Sequence, residues 1–491
     1  MGAIGGDAAP ISINAGALPA RTAIDASANT VAYRALYAAL AVGIALAAAH
    51  APANEATLAL DRFAGAAIVH TLAVTTHLGS ETFSASGSPT GAVGWLGALA
   101  AYLLGLGSAT FGAFAAAFAA LCTFVLVERR ARRLGGRAFA LAATALAALC
   151  AIGSFGCAGA IYTATFALVL AELLDRPGAR STILATLLAA VWCNVAPQGL
   201  LAPALALVFA LGAHFEARSA RECRYRWFAV AGTALAVLAT PGFLSYPPIA
   251  FEAMRFDRGL DGIVAFHPAD LVPLAYRTGF LLIVCAAFAV GLRRNRAGDV
   301  LLFLGAGYLA LANGSYLPVF GVLVAPLLAA SAAAAFPSMA QMRLGGSRGD
   351  MAIGIGATAV AACALLAAMQ HPAAPVPAFA LAASLSNDGH PHRLFCSNVD
   401  WCDAALGDGS SRTQVFMDGR VGAYPQRVRD AQRDIVRLKQ HWLRTIGERR
   451  IDAMLLRIDR PLAGMLSLSH GWTVVASDDE AVLYERTGAV R

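Results

Sequence analysis

Residues 94–137 read GWLGALAAYLLGLGSATFGAFAAAFAALCTFVLVERRARRLGGR, and how often this stretch crosses a membrane decides the fold. It is apolar enough for two crossings and ends in a dense basic cluster, 128–137. Lys and Arg accumulate on the cytoplasmic side of a bilayer, and two crossings would carry this cluster to the other side. The reading that satisfies the rule is one span, 109–127, preceded by an interfacial or re-entrant helix over 94–105.

The same rule orders the rest of the chain. Basic clusters at 128–137, 175–180, 216–226, 293–296 and 342–348 belong inside, and the Arg-poor connections 154–156, 194–199 and 313–315 belong outside. Apolar runs at 33–50, 109–127, 137–153, 157–174, 181–193, 199–215, 226–240, 277–293, 298–312, 316–335 and 352–370 then close as about eleven spans. The N-terminus is cytoplasmic and everything after residue 370 is external. Residues 1–30 are small, polar and Gly/Ala-rich, and read as a disordered cytoplasmic tail, followed by a membrane domain over 31–370. The composition agrees: 58% of residues are hydrophobic and 14% charged, against about 25% charged in a soluble chain. The net charge of +7 sits in short loops between spans. That is an orientation signal, and it removes nucleic acid as a partner.

Long loops are often functional. The first external loop, 51–108, carries a half-apolar surface segment over 62–76. The second, 241–276, contains PGFLSYPP and FHPAD, whose prolines argue against a continuous helix. Past a linker over 371–389, residues 390–491 read as a small external α/β domain. TQVFMDG is a strand ending in a turn, AMLLRI (453–458) a second strand, and GWTVVASDDEAVLYE (471–485) a strand, turn and strand. Between them Val428, Ala431, Ile435, Leu438, Trp442 and Ile446 recur at helical steps as one apolar face. The fold class is thus a mainly α polytopic membrane protein with a small C-terminal α/β domain.

External carboxylates are the candidate chemistry, because a carboxylate can take a proton from an acceptor hydroxyl or amine, or hold a divalent cation such as Mg²⁺ or Mn²⁺. The first loop offers Glu55, Asp61 and Glu81; the second offers Glu252, Asp257, Asp261, Asp270 and His267. The alternative for each is a solvated loop acid. Arg255 and Arg258 match phosphate oxygens or, equally, lipid headgroups. Trp192 reads as an interfacial anchor. Cys396 and Cys402 can close a small loop in an oxidising compartment. Asp418-Gly419-Arg420 reads as a turn, Gly419 supplying a positive φ and Arg420 pairing locally, with ligand binding at a strand end as the alternative. No phosphate-binding Gly-rich loop and no mid-membrane proton relay is evident, which weakens an ATP-driven or ion-coupled transporter.

GSETFSASGSPTGAVGWLGALAAY (79–102), VWCNVAPQGLL (191–201), LATPGF (238–243), FHPAD (266–270) and VFMDGRVGAY (415–424) occur in an order that resembles a bacterial branch of the GT-C superfamily of membrane glycosyltransferases. That branch has a P-x-x-D-x-FS-x-T-x-x-G-x-P-W…WL segment in its first external loop and an F-x-DGR-x-x-x-Y motif in an external C-terminal domain. Glu81 stands in place of the segment's Asp, followed in order by Phe83, Ser84, Gly87, Pro89, Trp95 and Leu96. Its other first-loop motif, D-x-D-x-WWH, is not intact: Glu55 falls near the first acid, Asp61 near the His, and both tryptophans are absent. The resemblance implies an inner-membrane enzyme that moves a sugar from a polyprenyl-phosphate donor to an envelope lipid, glycan or protein on the external face. Asp61, Glu81 or Glu55 would act as base or cation ligand, and Arg255 or Arg258 would steady the donor phosphate. The loss of D-x-D-x-WWH leaves a non-catalytic scaffold as the second implication, and a lipid or small-molecule transporter as a third.

Overall fold

The computed structural model describes residues 21–50, 55–106, 109–151, 158–256, 296–312, 316–340, 381, 385, 391–407 and 413–487. The helical part runs α1 (Arg21–His50), α2 (Glu55–Thr71), α3 (Trp95–Gly105), α4 (Ala109–Ala151), α5 (Ala158–Leu174), α6 (Ala179–Val195), α7 (Leu201–Phe215), α8 (Ala220–Ala236), α9 (Tyr246–Phe256), α10 (Ala297–Ala312), α11 (Leu317–Ala335) and α12 (Pro337–Ala340). Sequence features account for the boundaries. Ser219 caps α8 by accepting from the Glu222 N–H at 3.3 Å, satisfying one of the free donors of the first turn. Gly136, at φ 81° and ψ 175°, breaks α4, a backbone state that glycine adopts without penalty. The runs expected at 109–127 and 137–153 therefore form one helical stretch with a kink. α1 begins at Arg21, inside the segment expected to be a mobile tail. Pro247 and Pro248 do not prevent a helix, because they occupy the first turn of α9, where a missing N–H costs nothing. The runs at 277–293 and 352–370 lie outside the described residues.

α11 is the centre of the bundle. Every residue from Leu317 to Leu327 is buried, and the helix packs on α4, α5 and α10. Approach is close because the contacting residues are small: a Cβ on Gly321 would lie 2.9 Å from Cys150 Cβ, and one on Gly135 would strike the Ala329 carbonyl. Large apolar residues also face outward from the bundle. α6 buries Ala185, Ala189, Trp192 and Cys193 and exposes Ile183, Leu184, Leu187 and Val191. Pro197–Phe215 and Leu317–Ala335 are each long and apolar enough to cross a membrane; Tyr33–Ala48, Phe139–Ala151, Ile161–Leu174, Ala179–Val195 and Ala297–Leu311 are apolar but shorter. The basic segments meet at one end: Arg130 pairs with Asp175 at 2.8 Å, Arg133 with Glu172, and Glu216 accepts from the Gly298 N–H at 3.2 Å.

The C-terminal domain comprises β1 (Arg393–Cys396), α13 (Val399–Gly407), β2 (Gln414–Val415), α14 (Gln426–Val436), α15 (Trp442–Glu448), β3 (Ala453–Arg457), α16 (Pro461–Ser467), β4 (Trp472–Ser477) and β5 (Ala481–Arg486). The sheet order is β2-β1-β3-β5-β4, parallel across β2-β1-β3 and antiparallel across β3-β5-β4. β1 and α13 were not apparent from the sequence, and the strand expected over TQVFMDG is confined to Gln414–Val415. The apolar face expected as one helix from Val428 to Ile446 is split. Leu438 (φ 51°) and His441 (φ 73°) adopt left-handed backbone, which ends α14 and restarts the chain as α15. The apolar residues still reach one core: Val428, Ile435 and Ile446 are buried in it, with Ala431, Leu438 and Trp442 packed alongside.

Strand alternation divides the core by face. Phe395, Met454, Leu456, Val482 and Tyr484 point to the α14 side; Leu394, Cys396, Ala453, Leu455 and Leu483 point to the α13 side. Both faces are completed by residues remote in sequence. Leu78 and Ala85 of the first loop join the first cluster, and Leu60 of α2 joins the second. The domain and the first loop therefore share one hydrophobic core, where the sequence implied an appended accessory domain.

Candidate functional site

β2 leads into the turn Asp418-Gly419-Arg420. Asp418 is fully buried, and its carboxylate accepts from the Arg420 N–H at 2.9 Å, from Nε at 3.1 and 3.2 Å, and from Nη2 at 2.6 Å. The Asp418 N–H donates to the Tyr424 hydroxyl at 3.1 Å. The F-x-DGR-x-x-x-Y spacing thus describes a closed turn, with buried Phe416 as its anchor. The expected Asx-type pairing is present, but Gly419 has no positive φ. Glycine is needed there for close approach: a Cβ would lie 2.5 Å from Asp403 Oδ2 and 3.3 Å from Leu60 Cδ2. The Gly419 N–H donates to Asp403 Oδ1 at 2.7 Å. Arg420 also pairs beyond its own turn, because Nη2 reaches Glu81 Oε1 at 2.9 Å.

Burial alone would weaken the charge of Arg420, but the Asp418 carboxylate, supported by Glu81, raises its pKa and keeps it protonated. Asp403 is the opposite case. Burial, then the adjacent Asp418 carboxylate, push its carboxyl well above the usual carboxylate range.

The first loop docks on the outer edge of β2. Thr82 pairs in parallel with Val415, the Val415 N–H donates to the Glu81 carbonyl at 2.8 Å, and the Phe83 N–H donates to the Val415 carbonyl at 3.2 Å. Gln414 Nε2 donates to the Ser80 carbonyl at 2.9 Å, and the Ser84 hydroxyl donates to the Phe416 carbonyl. An otherwise open sheet edge is covered. The second loop docks on the same turn. A Cβ on Gly422 would strike the Ile249 carbonyl of α9, and Arg429 of α14 bonds Glu252 of α9 at 2.8 Å. The loops also touch each other, because a Cβ on Gly242 would strike the Gly91 carbonyl.

Asp61 lies on α2 between two packing surfaces. One is α3, where a Cβ on Gly65 would meet the Ala98 carbonyl. The other is α13, which α2 contacts directly and whose core Leu60 enters. Asp61 is half-buried and forms no hydrogen bond or ion pair with the described residues; burial raises its pKa to about 6. Of the described acids the sequence offered, Asp61 has no charged partner among the described residues, whereas Glu81 and Glu252 each engage an arginine. Asp257, Arg258, Asp261, His267 and Asp270 lie outside the described residues, as do the side chains of Glu55 and Arg255.

Cys396 and Cys402 are disulfide-bonded, tying α13 to β1 one residue before Asp403. Trp192 is not an interfacial anchor: it is fully buried and stacks on Phe166 with ring centroids 5.7 Å apart. The neighbouring Asn194 is the joint, accepting from Trp95 Nε1 and donating to the Ala190 and Ala239 carbonyls at 2.8 Å. Asp403 and Arg429 carried no sequence signal, since each occupies an ordinary helical position. Among the described residues no group of three or more His, Cys, Asp or Glu side chains could hold a metal ion. Among the described acids, Glu81 and Asp418 already share the Arg420 guanidinium.

No protein-family model matches the chain, and no curated protein is similar to it in sequence. Solved structures are similar in fold. Arabinofuranosyltransferase AftD from Mycobacteria aligns with TM-score 0.53 and 16% identity over 92% of this chain, which spans 40% of that protein. The Archaeoglobus fulgidus oligosaccharyltransferase in its apo form aligns with TM-score 0.56 and 10% identity, over 92% of this chain and 74% of that one. ArnT from Cupriavidus metallidurans, bound to undecaprenyl phosphate, aligns with TM-score 0.51 and 13% identity, over 96% and 99%. The chain has a GT-C-like fold.

Proposed function

We propose that the protein is an integral membrane glycosyltransferase that moves a sugar from a polyprenyl-phosphate donor to an acceptor hydroxyl or amine at the face where the C-terminal domain sits. One observation carries the reading: nearly the whole chain shares its fold with nearly the whole of ArnT, solved with undecaprenyl phosphate bound. Membrane embedding is supported by the large apolar residues the bundle exposes, Ile183, Leu187 and Val191 among them, an arrangement lipid favours and water does not. Orientation is supported by the meeting of the Arg-rich segments at one end, which would be cytoplasmic by the positive-inside rule. The C-terminal domain would then be external, where its disulfide is stable.

Asp61 is the base in this reading. The acceptor oxygen or nitrogen attacks the sugar's anomeric carbon, the bond from that carbon to the polyprenyl-phosphate oxygen breaks, and the phosphate leaves with the electron pair. The acceptor's proton passes to Asp61. A carboxylate near pKa 6 suits this, because it is ionised at neutral pH yet basic enough to take a proton in the transition state. A scaffold remains the second reading, favoured by the engagement of Glu81 with Arg420, which gives that acid a structural partner.

The test is purified protein in detergent with undecaprenyl-phosphate-linked pentoses and hexoses, following release of undecaprenyl phosphate by mass spectrometry, beside Asp61→Asn. Release by wild type and its loss in the variant are expected. Release that survives the substitution removes Asp61 as base, and no release from any donor, with envelope glycans unaltered on deletion, favours the scaffold.

A further inference from the structure

The turn Asp418-Gly419-Arg420 touches the first loop at two places. Arg420 holds Glu81 at 2.9 Å. Gly419 abuts Leu60, the residue before Asp61. The 79–84 segment itself is bonded to the edge of β2 through a parallel bridge at Thr82. We propose that Arg420 is a positioning residue: by bridging Asp418 to Glu81 it holds the first loop on the C-terminal sheet, and the turn it rigidifies sets the place of the helix that carries Asp61. The inference rests on the reading of Asp61 as base.

The chemistry explains why an arginine stands here. Its planar fork offers Nε and Nη2 to Asp418 while Nη2 also reaches Glu81, which a lysine ammonium cannot match as a rigid pair. Asp418 is fully buried and Glu81 has one-fifth of its side chain exposed. Removing the guanidinium leaves like charges facing each other without a counter-ion, so the loop, rather than the closed turn, gives way. The second loop has a separate clamp in Arg429 and Glu252 and should stay in place.

Arg420→Gln and Arg420→Lys test this with two readouts. The first is amide hydrogen exchange at Phe83 and Val415, whose N–H groups make the loop-to-β2 bonds. The second is turnover with undecaprenyl-phosphate-linked sugars. Expected are faster exchange at both amides, kcat lower by about 10- to 100-fold as for a displaced catalytic group, KM for the donor little changed, and only partial recovery with Lys. A Thr82→Cys/Val415→Cys staple, placed across paired strands about 5 Å apart, within disulfide reach, should restore both readouts in Arg420→Gln. That rescue separates positioning from general misfolding. Unchanged exchange, or a formed staple that fails to restore turnover, overturns the proposal. If wild type is inactive the transferase reading fails, and if Asp61→Asn stays active its reading as base fails; either takes the catalytic half of the inference with it, while the exchange result still decides whether Arg420 holds the loop.

Discussion

Asp61→Asn should make the protein both inactive and more stable. Burial moves the carboxyl from 3.8 to about 6, and a pKa change of one corresponds to about 1.4 kcal/mol of interaction lost by the charged form. The whole rise therefore represents about 3 kcal/mol; partial exposure and solvent screening reduce it to about 1–3 kcal/mol. The sign follows from linkage. The folded state binds the proton more tightly than the unfolded chain, so wild-type stability falls as pH rises from about 4 to about 6 and stays low above that. An asparagine has no charge to desolvate and keeps a similar shape. The variant's advantage should therefore be full above pH 6 and absent below about pH 4. Thermal unfolding in dodecyl maltoside, scanned from pH 4 to 8 for both proteins, measures it, with sugar release followed on the same samples. A pH-independent difference, or a variant less stable at pH 7.5, would refute the claim that burial disfavours the charged form of Asp61.

Three further outcomes follow from the same geometry. Asp403→Asn should stabilise the protein increasingly as pH rises above the unfolded carboxyl value, because the raised Asp403 carboxyl disfavours the charged form and Asn retains the acceptor for the Gly419 N–H; scanning fluorimetry against pH checks this. Trp192→Ala should cost about 3–5 kcal/mol by opening a cavity, whereas Trp192→Phe should cost much less, since the buried indole N–H has no partner among the described residues; denaturation midpoints compare the two. Arg429→Ala should loosen α9, leaving Glu252 and Gln426 without the guanidinium they share, for about 1–3 kcal/mol and faster amide exchange over 246–256.

Local rules carried the helical part well, because helix boundaries depend on near neighbours. The 94–105 segment is a separate short helix, and the expected runs at 298–312 and 316–335 fall within a residue of α10 and α11. The misses share one cause: tertiary contact overrode the local pattern. Leu438 and His441 accept left-handed backbone so that two short helices can share a core that one straight helix would miss. Trp192 has the sequence position of an interfacial anchor but finds Phe166 in the bundle.

The candidate site was legible as a set of residues and illegible as an arrangement. F-x-DGR-x-x-x-Y announced a turn, and the turn is there, with Tyr424 closing it on Asp418. Its use was hidden, because the partner of Arg420 lies 339 positions earlier in the chain and nothing in Glu81's local sequence distinguishes a base from a counter-ion. Pairing decides between those roles. Glu81 has an arginine at 2.9 Å, whereas Asp61 of the same loop is half-buried and has no charged partner among the described residues, and burial raises its pKa. The GT-C-like pattern nominated Glu81 most directly, by its alignment with the branch's Asp. In the proposed reading Glu81 holds the loop, and Asp61, which departs from the D-x-D-x-WWH pattern, is the described first-loop carboxylate that takes the proton.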